Sequence, residues 1–438
     1  MISKTDLKPI CLVFVLVKSV LFTIPQLVVK QYDTSSQLIF TSTAVPSWIN
    51  YILSRLIVWD TVFFIRIAQR GYLYEQEWAF GWLWHASIRS VGDWIVLPIL
   101  TLLYPGLADG EINDLGDKVN SVYTYAIASL VVAHICHLLA VVTLYIISKH
   151  IQSYLDKANK TLQPSGLGTK FPLIVSLLYI ISPGGIFMSA GYSETLFAFL
   201  SFIGVLLREM DNHVASGACF MLCCGVRGNG ILWGIIFLND FYEALVRRQW
   251  KKGIRVIIGG SLIAIGFLAG QVYAYMRYCP GREWCSSTVP LIYGYVQSKY
   301  WNVGFLKYWR TWQIPNFLFA FPTWFLFWRS FQRYRSIAHL RPYVIIQMIM
   351  LVMSLFIWHV QIITRVGTCM PLVYWHIAER IAEDKVLDNN QTKKDTQLSF
   401  IQRAKADFKI HEGLWEVRYM ITWIGVQAVL FASFIPPA

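Results

Sequence analysis

Apolar runs of bilayer length recur along the whole chain, and they leave few folds open to it. The runs fall at about 10–29, 122–147, 171–190, 192–208, 214–238, 256–276, 314–328, 343–363, 366–378 and 419–436. A helix needs about 20 apolar residues to cross a bilayer core. Inside that core each backbone amide must find its partner within its own segment, so continuous apolar runs of this length read as helices. The expected fold is all-α: a polytopic, multi-pass membrane protein forming a single membrane-embedded unit over residues 1–438. The charge content agrees. Only 14% of the 438 residues are charged, where a soluble domain carries about a quarter. The net charge of +13 does not point to nucleic acid. Lys and Arg lie in short clusters between apolar runs, such as Arg247, Arg248, Lys251, Lys252 and Arg255, or Arg329, Arg333, Arg335 and Arg341. Cytosolic loops carry that pattern.

Lys4 and Lys8 precede the first run, which reads as a retained first span with a cytosolic N-terminus. The long segment 30–121 then falls on the lumenal side, with a second lumenal loop at 279–312. Segments 148–170 and 379–417 are polar and read as cytosolic. The sequons Asn159-Lys160-Thr161 and Asn390-Gln391-Thr392 are therefore expected to stay unmodified. The 192–238 region is expected to enter and leave on one side, because the basic run after it is cytosolic. Ser182-Pro183-Gly184-Gly185 and Arg227-Gly228-Asn229-Gly230 interrupt apolar runs, as broken helices do where they line a cavity. Val62, Phe63, Ile65 and Ile67 alternate with Arg66, Gln69 and Arg70 as in a short interfacial helix. Trp78, Phe80, Trp82 and Trp84 read as an interfacial aromatic belt, and Leu97 to Leu107 is short for a span. Cys11, Cys136, Cys219, Cys223 and Cys224 read as buried small hydrophobes. Cys279 and Cys285 flank a lumenal turn where a disulfide can form.

Ionisable residues near a bilayer are costly, and a functional site is the default reading for them. Asp60, behind Trp59, stands out first. It is either a helix N-cap or a catalytic carboxylate. Trp59 either stacks on a sugar ring or anchors at the interface. Glu75 and Glu77, after Tyr74, are a second acid or a solvated turn. Arg227, beside Asn229, either grips a phosphate or pairs with Glu194 or Asp240. Glu194 also suits a helix start. Arg365, near His359 and Gln361, either contacts phosphate or snorkels. The stretch from Pro290 to Leu306, with Gln297, Trp301 and Asn302, suits sugar stacking and interface packing equally. His134 and His137 lie one turn apart without a third ligand, so no metal site is expected. One set of needs would unite these residues. Transfer of a sugar from a polyprenyl phosphate asks for a carboxylate to take the acceptor proton, cations for the departing phosphate, aromatic platforms and a greasy groove.

Five blocks in order resemble the GPI mannosyltransferase 2 family, the PIG-V type, and its fungal members most. They are Trp59-Asp60 with Arg66-Ile67-Ala68 and Gly71-Tyr72; Tyr192-Ser193-Glu194 with Phe197-Ala198; Arg227-Gly228-Asn229-Gly230; Pro290 to Phe305 with Gln313-Ile314-Pro315-Asn316-Phe317; and His359-Val360-Gln361 with Thr364-Arg365 and Tyr374-Trp375. Two stretches depart from it: Gly81-Trp82-Leu83-Trp84-His85 replaces a Pro-containing stretch of animal relatives, and Gly228 stands where relatives carry Ser. The resemblance implies a GT-C-like helical bundle in the endoplasmic reticulum membrane. It implies transfer of mannose from dolichyl phosphate mannose, on the lumenal side and with inversion, to the GPI precursor glycolipid as its second, α1,6-linked mannose. Dolichyl phosphate mannose would be a substrate, with no cofactor, and a small accessory membrane subunit is a plausible partner. On this reading Asp60 and Trp59 are catalytic. Arg66, Tyr74, Glu75, Glu77, Glu194, Arg227, Asn229, Gln297, Trp301, Asn302, His359, Gln361 and Arg365 bind substrate. The rivals are another GT-C transferase with a different acceptor, or a lipid or sugar-lipid transporter, which would show paired broken helices in both halves.

Overall fold

The computed structural model describes residues 3–33, 35–108, 118–159, 168–391 and 412–435. Both sequons, and much of the 379–417 loop, extend outside the described residues. The architecture is all-α, with no β-strand among the described residues. Among the described residues five helices are long and apolar enough to cross a bilayer: Thr5–Leu27, Trp82–Leu103, Asn120–Asp156, Trp250–Tyr278 and Ala338–Phe356. Local chemistry starts some of them. Ser3 accepts the amide of Asp6 at 3.1 Å at the first helix, and the Asn212 side chain accepts that of Ala215 at 3.3 Å, each satisfying an orphan donor of the first turn.

The Trp82–Leu103 helix corrects two expectations. Leu97 to Leu107 is not an isolated short run. The helix begins fifteen residues earlier and passes through one π-helical stretch, Gly92–Val96. There Gly92 meets the Tyr125 ring, and the Tyr125 hydroxyl donates to Asp93 at 2.9 Å. Trp84 is not part of an interfacial belt either, being 1% exposed, while Trp82 is 49% exposed.

Ion pairs mark the two ends of the bundle. At one end Glu194 meets Arg227 and Arg365; at the other Arg208 meets Asp240, and Glu209 meets His339. Glu194–Glu209 therefore runs from the first end to the second, His213–Val226 returns, and the turn Gly228–Trp233 with the helix Gly234–Val246 runs back again. The 192–238 region does not enter and leave on one side. The apolar run 214–238 is two helices broken at Arg227–Gly230, so the count of passes is odd. The first helix starts at the second end, where the Tyr145 hydroxyl donates to Asp6 at 2.7 Å.

Small residues let these helices approach. A Cβ on Gly217 would lie 2.4 Å from the Gly259 backbone, so His213–Val226 and Trp250–Tyr278 touch main chain to main chain, as membrane helices do where small residues face each other. Most buried apolar residues form one continuous core. A satellite core of Ala274, Trp284, Ile292 and Val296 sits under the disulfide-closed loop Cys279–Cys285. Cys11 faces outward and Cys219 is half-buried, so neither is the buried hydrophobe expected of it. The other four free cysteines, Cys369 among them, are buried. His137 packs edge-on to Phe14 and Tyr179, and the His134 ring contacts the Leu130 carbonyl at 2.7 Å; both are structural.

Candidate active site

Asp60 opens the helix Asp60–Arg70, but it does not cap it. The capping position belongs to Trp59, whose backbone stands at φ 60° and ψ −129° without a side-chain cap. A non-glycine residue there is strained, and such strain gathers at functional sites. Two neighbours hold the bend from behind. The Tyr192 hydroxyl and the Thr61 hydroxyl both donate to the Val58 carbonyl, at 2.9 Å and 2.7 Å. The result turns the Asp60 carboxylate out of the helix and onto the wall of a cavity of about 440 Å³.

The polar wall of that cavity is a chain of alternating charges. Arg365 Nη2 donates to Asp60 Oδ2 at 3.3 Å, and Arg365 Nε donates to Glu194 Oε1 at 2.7 Å. Arg227 Nη1 reaches the same Glu194 oxygen at 3.0 Å. Glu194 is fully buried behind the wall, while Asp60 keeps 24% of its side chain exposed. The Arg365 guanidinium also lies over the rings of Phe187 and Tyr192, 4.2 Å and 4.9 Å from their centroids. A cation desolvated among ring faces is held by them as well as by its carboxylates. Asp60 is thus a partly open carboxylate with acceptor capacity to spare beyond its bond from Arg365. Arg227 and Arg365 supply cations for an anionic group.

The remaining lining is aromatic and amide-bearing: Asn229, Gln297, Trp301, His359 and Gln361 line the cavity, as does Trp59. His359 stacks on Tyr308 with centroids 4.7 Å apart and donates from Nε2 to the Trp301 carbonyl at 2.9 Å. Burial holds its imidazole below the usual range, against the opposing pull of the Trp301 carbonyl and Asp60. Burial also raises Tyr308.

Other expected substrate contacts lie elsewhere. Glu77 is buried below the Asp60 helix, accepting Arg70 at 2.7 Å and the amide of Leu73 at 2.8 Å. Glu75 ties the first loop to the second, accepting from Trp284 Nε1 at 3.3 Å and the Tyr300 hydroxyl at 3.1 Å, with Arg282 at 3.3 Å. Both are buried loop braces outside the cavity lining, so the solvated-turn reading does not hold for them. Tyr74 is exposed, with the Arg70 guanidinium 5.2 Å from its ring centroid. Arg66 is half-buried on the Asp60–Arg70 helix and is not in the lining. Asn302 is exposed at φ 51° and lines a smaller recess beside the cavity, with Lys307 and Arg310. Glu194 acts on the cavity through the two arginines and does not face it.

The structure adds cavity residues to which the sequence reading gave no site role, Phe64, Phe80, Trp84, His85, Phe187, Tyr192 and Tyr308, and draws Tyr293 from the aromatic stretch already singled out. One signal was available, a histidine at position 85 at the start of a long apolar run. Among the described residues no three His, Cys, Asp or Glu side chains come together as metal ligands.

The comparisons with known proteins point one way. The family described as "Mannosyltransferase (PIG-V)" matches residues 7–339 and 329–438. GPI mannosyltransferase 2 of Yarrowia lipolytica is 38% identical over 427 residues, covering 97% of this chain and 98% of the relative. The proteins of that name from Candida albicans and Saccharomyces cerevisiae are 29% and 30% identical, covering 97% and 98% of this chain and 98% and 99% of their own.

Proposed function

The chain belongs to the PIG-V mannosyltransferase family, and from that premise we propose that it transfers mannose from dolichyl phosphate mannose to the GPI precursor. The product carries the second, α1,6-linked mannose, and the reaction runs on the lumenal side of the endoplasmic reticulum membrane. The observation that carries this reading is the Asp60 carboxylate, open to the cavity beside the Arg365 guanidinium, with Arg227 lining the same cavity.

The geometry supports the following roles. Asp60 accepts the proton of the acceptor 6-hydroxyl as its oxygen attacks the anomeric carbon. The bond from that carbon to the phosphate oxygen breaks, and the phosphate leaves with the electron pair. A phosphate is a good leaving group, so no general acid is required. Arg365 and Arg227 stabilise the negative charge that gathers on it. Attack opposite the leaving group inverts a β-linked donor into an α-linked product. Glu194 is a positioning residue that sets both arginines. Gln297, Asn229, Gln361, His359, Trp59 and Trp301 supply hydrogen bonds and ring faces for the sugars. The cluster of basic residues at the opposite end of the bundle supports a lumenal site, because such clusters face the cytosol.

The test is transfer from radiolabelled dolichyl phosphate mannose to the one-mannose GPI precursor, in microsomes that also supply any small accessory membrane subunit. Wild type is compared with Asp60→Asn at matched protein levels. Wild type is expected to form the two-mannose product and the variant to lose about 10²- to 10⁴-fold in rate. An Asp60→Asn enzyme as fast as wild type removes Asp60 from the chemistry. A wild-type protein that makes no product removes the donor and acceptor assignment.

A further inference from the structure

Beside the Asp60–Arg365 wall the cavity is also lined by uncharged polar side chains, His85, Trp84 and Trp59. His85 lines the cavity with only 4% of its surface exposed. Its ring lies 5.6 Å from that of Phe64. Phe64 is one turn beyond Asp60 on the same helix, about 6 Å along the axis. His85 therefore belongs to the same chamber as the carboxylate, at a sugar's reach from it.

The hydrogen bonds around His85 assign its tautomer. The Tyr72 hydroxyl donates its one proton to the Phe80 carbonyl at 2.8 Å. Burial and the Glu77 carboxylate both favour keeping that proton on Tyr72. His85 Nδ1 lies 3.3 Å from the same hydroxyl oxygen, which is left only to accept. Nδ1 therefore carries the hydrogen, and the neutral ring keeps its lone pair at Nε2. That Nε2 is buried and meets no polar atom among the described residues. The indole Nε1 groups of Trp84 and Trp59, in two side chains that also line the cavity, are likewise buried without an acceptor among the described residues. Buried polar groups are normally paired, and an unpaired one calls for an explanation.

One acceptor and two donors, all neutral and set among rings, do not suit a phosphate. They suit hydroxyls on a sugar ring. We propose that His85 is a hydroxyl-reading residue of this cavity: its Nε2 accepts a hydrogen bond from a sugar hydroxyl, with Trp84 and Trp59 donating to neighbouring oxygens. The inference rests on the proposed glycosyl transfer and names a specificity contact within it. Tyr72 is the positioning residue that fixes the tautomer.

The experiment compares two replacements in the full-length protein. His85→Gln keeps an oxygen acceptor near the place of Nε2, and His85→Phe removes it. Each is assayed with dolichyl phosphate mannose and with donors deoxygenated at C2, C3, C4 or C6 in turn, then with an acceptor series deoxygenated in the same way. Binding of each ligand to purified protein is followed in parallel by tryptophan fluorescence. His85→Phe is expected to lose about tenfold to a hundredfold in kcat/KM with the parent substrates, and His85→Gln to regain most of it. One deoxy substrate is expected to bind and react equally well with wild type and His85→Phe. Its place in the donor or acceptor series identifies the sugar. A uniform loss across every substrate, or a His85→Gln variant as poor as His85→Phe, overturns the inference and leaves His85 as packing. A wild type that binds these ligands but transfers nothing overturns the reaction instead, and the binding series still decides the role of His85. A wild type that binds none of them overturns both.

Discussion

Glu194→Gln tests whether one buried carboxylate really holds both arginines of the cavity wall. Glu194 has no exposed side-chain surface, Arg365 7% and Arg227 18%. Removing one partner of a buried pair costs about 3–5 kcal/mol, because the other charge stays behind uncompensated. Two features reduce that here. Glutamine keeps one neutral oxygen for Arg365 Nε, returning about 1 kcal/mol. Arg365 also keeps Asp60 at 3.3 Å and its two ring faces. The expected loss is about 2–4 kcal/mol. The assay is unfolding by sodium dodecyl sulfate in mixed micelles, followed by tryptophan fluorescence, for Glu194→Gln, Arg365→Met and the double variant. The double variant removes both charges of the shortest pair, so it is expected to be about 2 kcal/mol more stable than the sum of the singles implies. Additivity within about 0.5 kcal/mol would show that the pair does not bear on stability, and the account of the wall would fail with it.

Two further outcomes are expected. His359 is held below its usual value of 6.5 by burial, so the unfolded chain takes up its proton first as the solution acidifies. Its contribution to stability is full above 6.5 and is lost as pH falls through the lowered folded value; a pH series of melting temperatures should fall on the acid side, and His359→Asn should flatten that fall. Gly81→Ala places a Cβ 2.3 Å from the carbonyl oxygens of Gly225 and Val226, which only a main-chain shift relieves. It is expected to cost about 2 kcal/mol or more and to disturb substrate binding at neighbouring Arg227, whereas a stable, fully active alanine variant would show that this contact is loose.

The helices were legible because the apolar runs are long, and Asp60 was visible because a carboxylate beside such runs is expensive. Helix phase was not legible. A segment apolar on every face carries no periodic signal for which side turns inward. Phe187, in a short 3-10 turn, and Tyr192 and Tyr308, in irregular stretches, carry no periodic signal at all, so nothing in the pattern showed that they share one chamber. The break at Arg227–Gly230 was legible from its two glycines, but the direction in which the chain leaves it was not, so the number of passes in 192–238 was misjudged. Glu75 and Glu77 looked solvated because local sequence cannot reveal that Trp284 and Arg70, from other parts of the fold or the preceding helix, would cover them. The choice of cap or open carboxylate at Asp60 turned on the backbone of Trp59, where a positive φ at a tryptophan follows from no propensity.

That same backbone makes this protein a poor subject for selection by thermostability alone. Trp59 stands in a region that glycine enters freely and other residues enter at a cost of about 1–3 kcal/mol. A search for hardier variants would therefore reward glycine at position 59, and with it lose the indole that faces the cavity. Durability and activity pull this one position in opposite directions, so a stabilised form obtained without a functional screen would tend to be a well-behaved but crippled one.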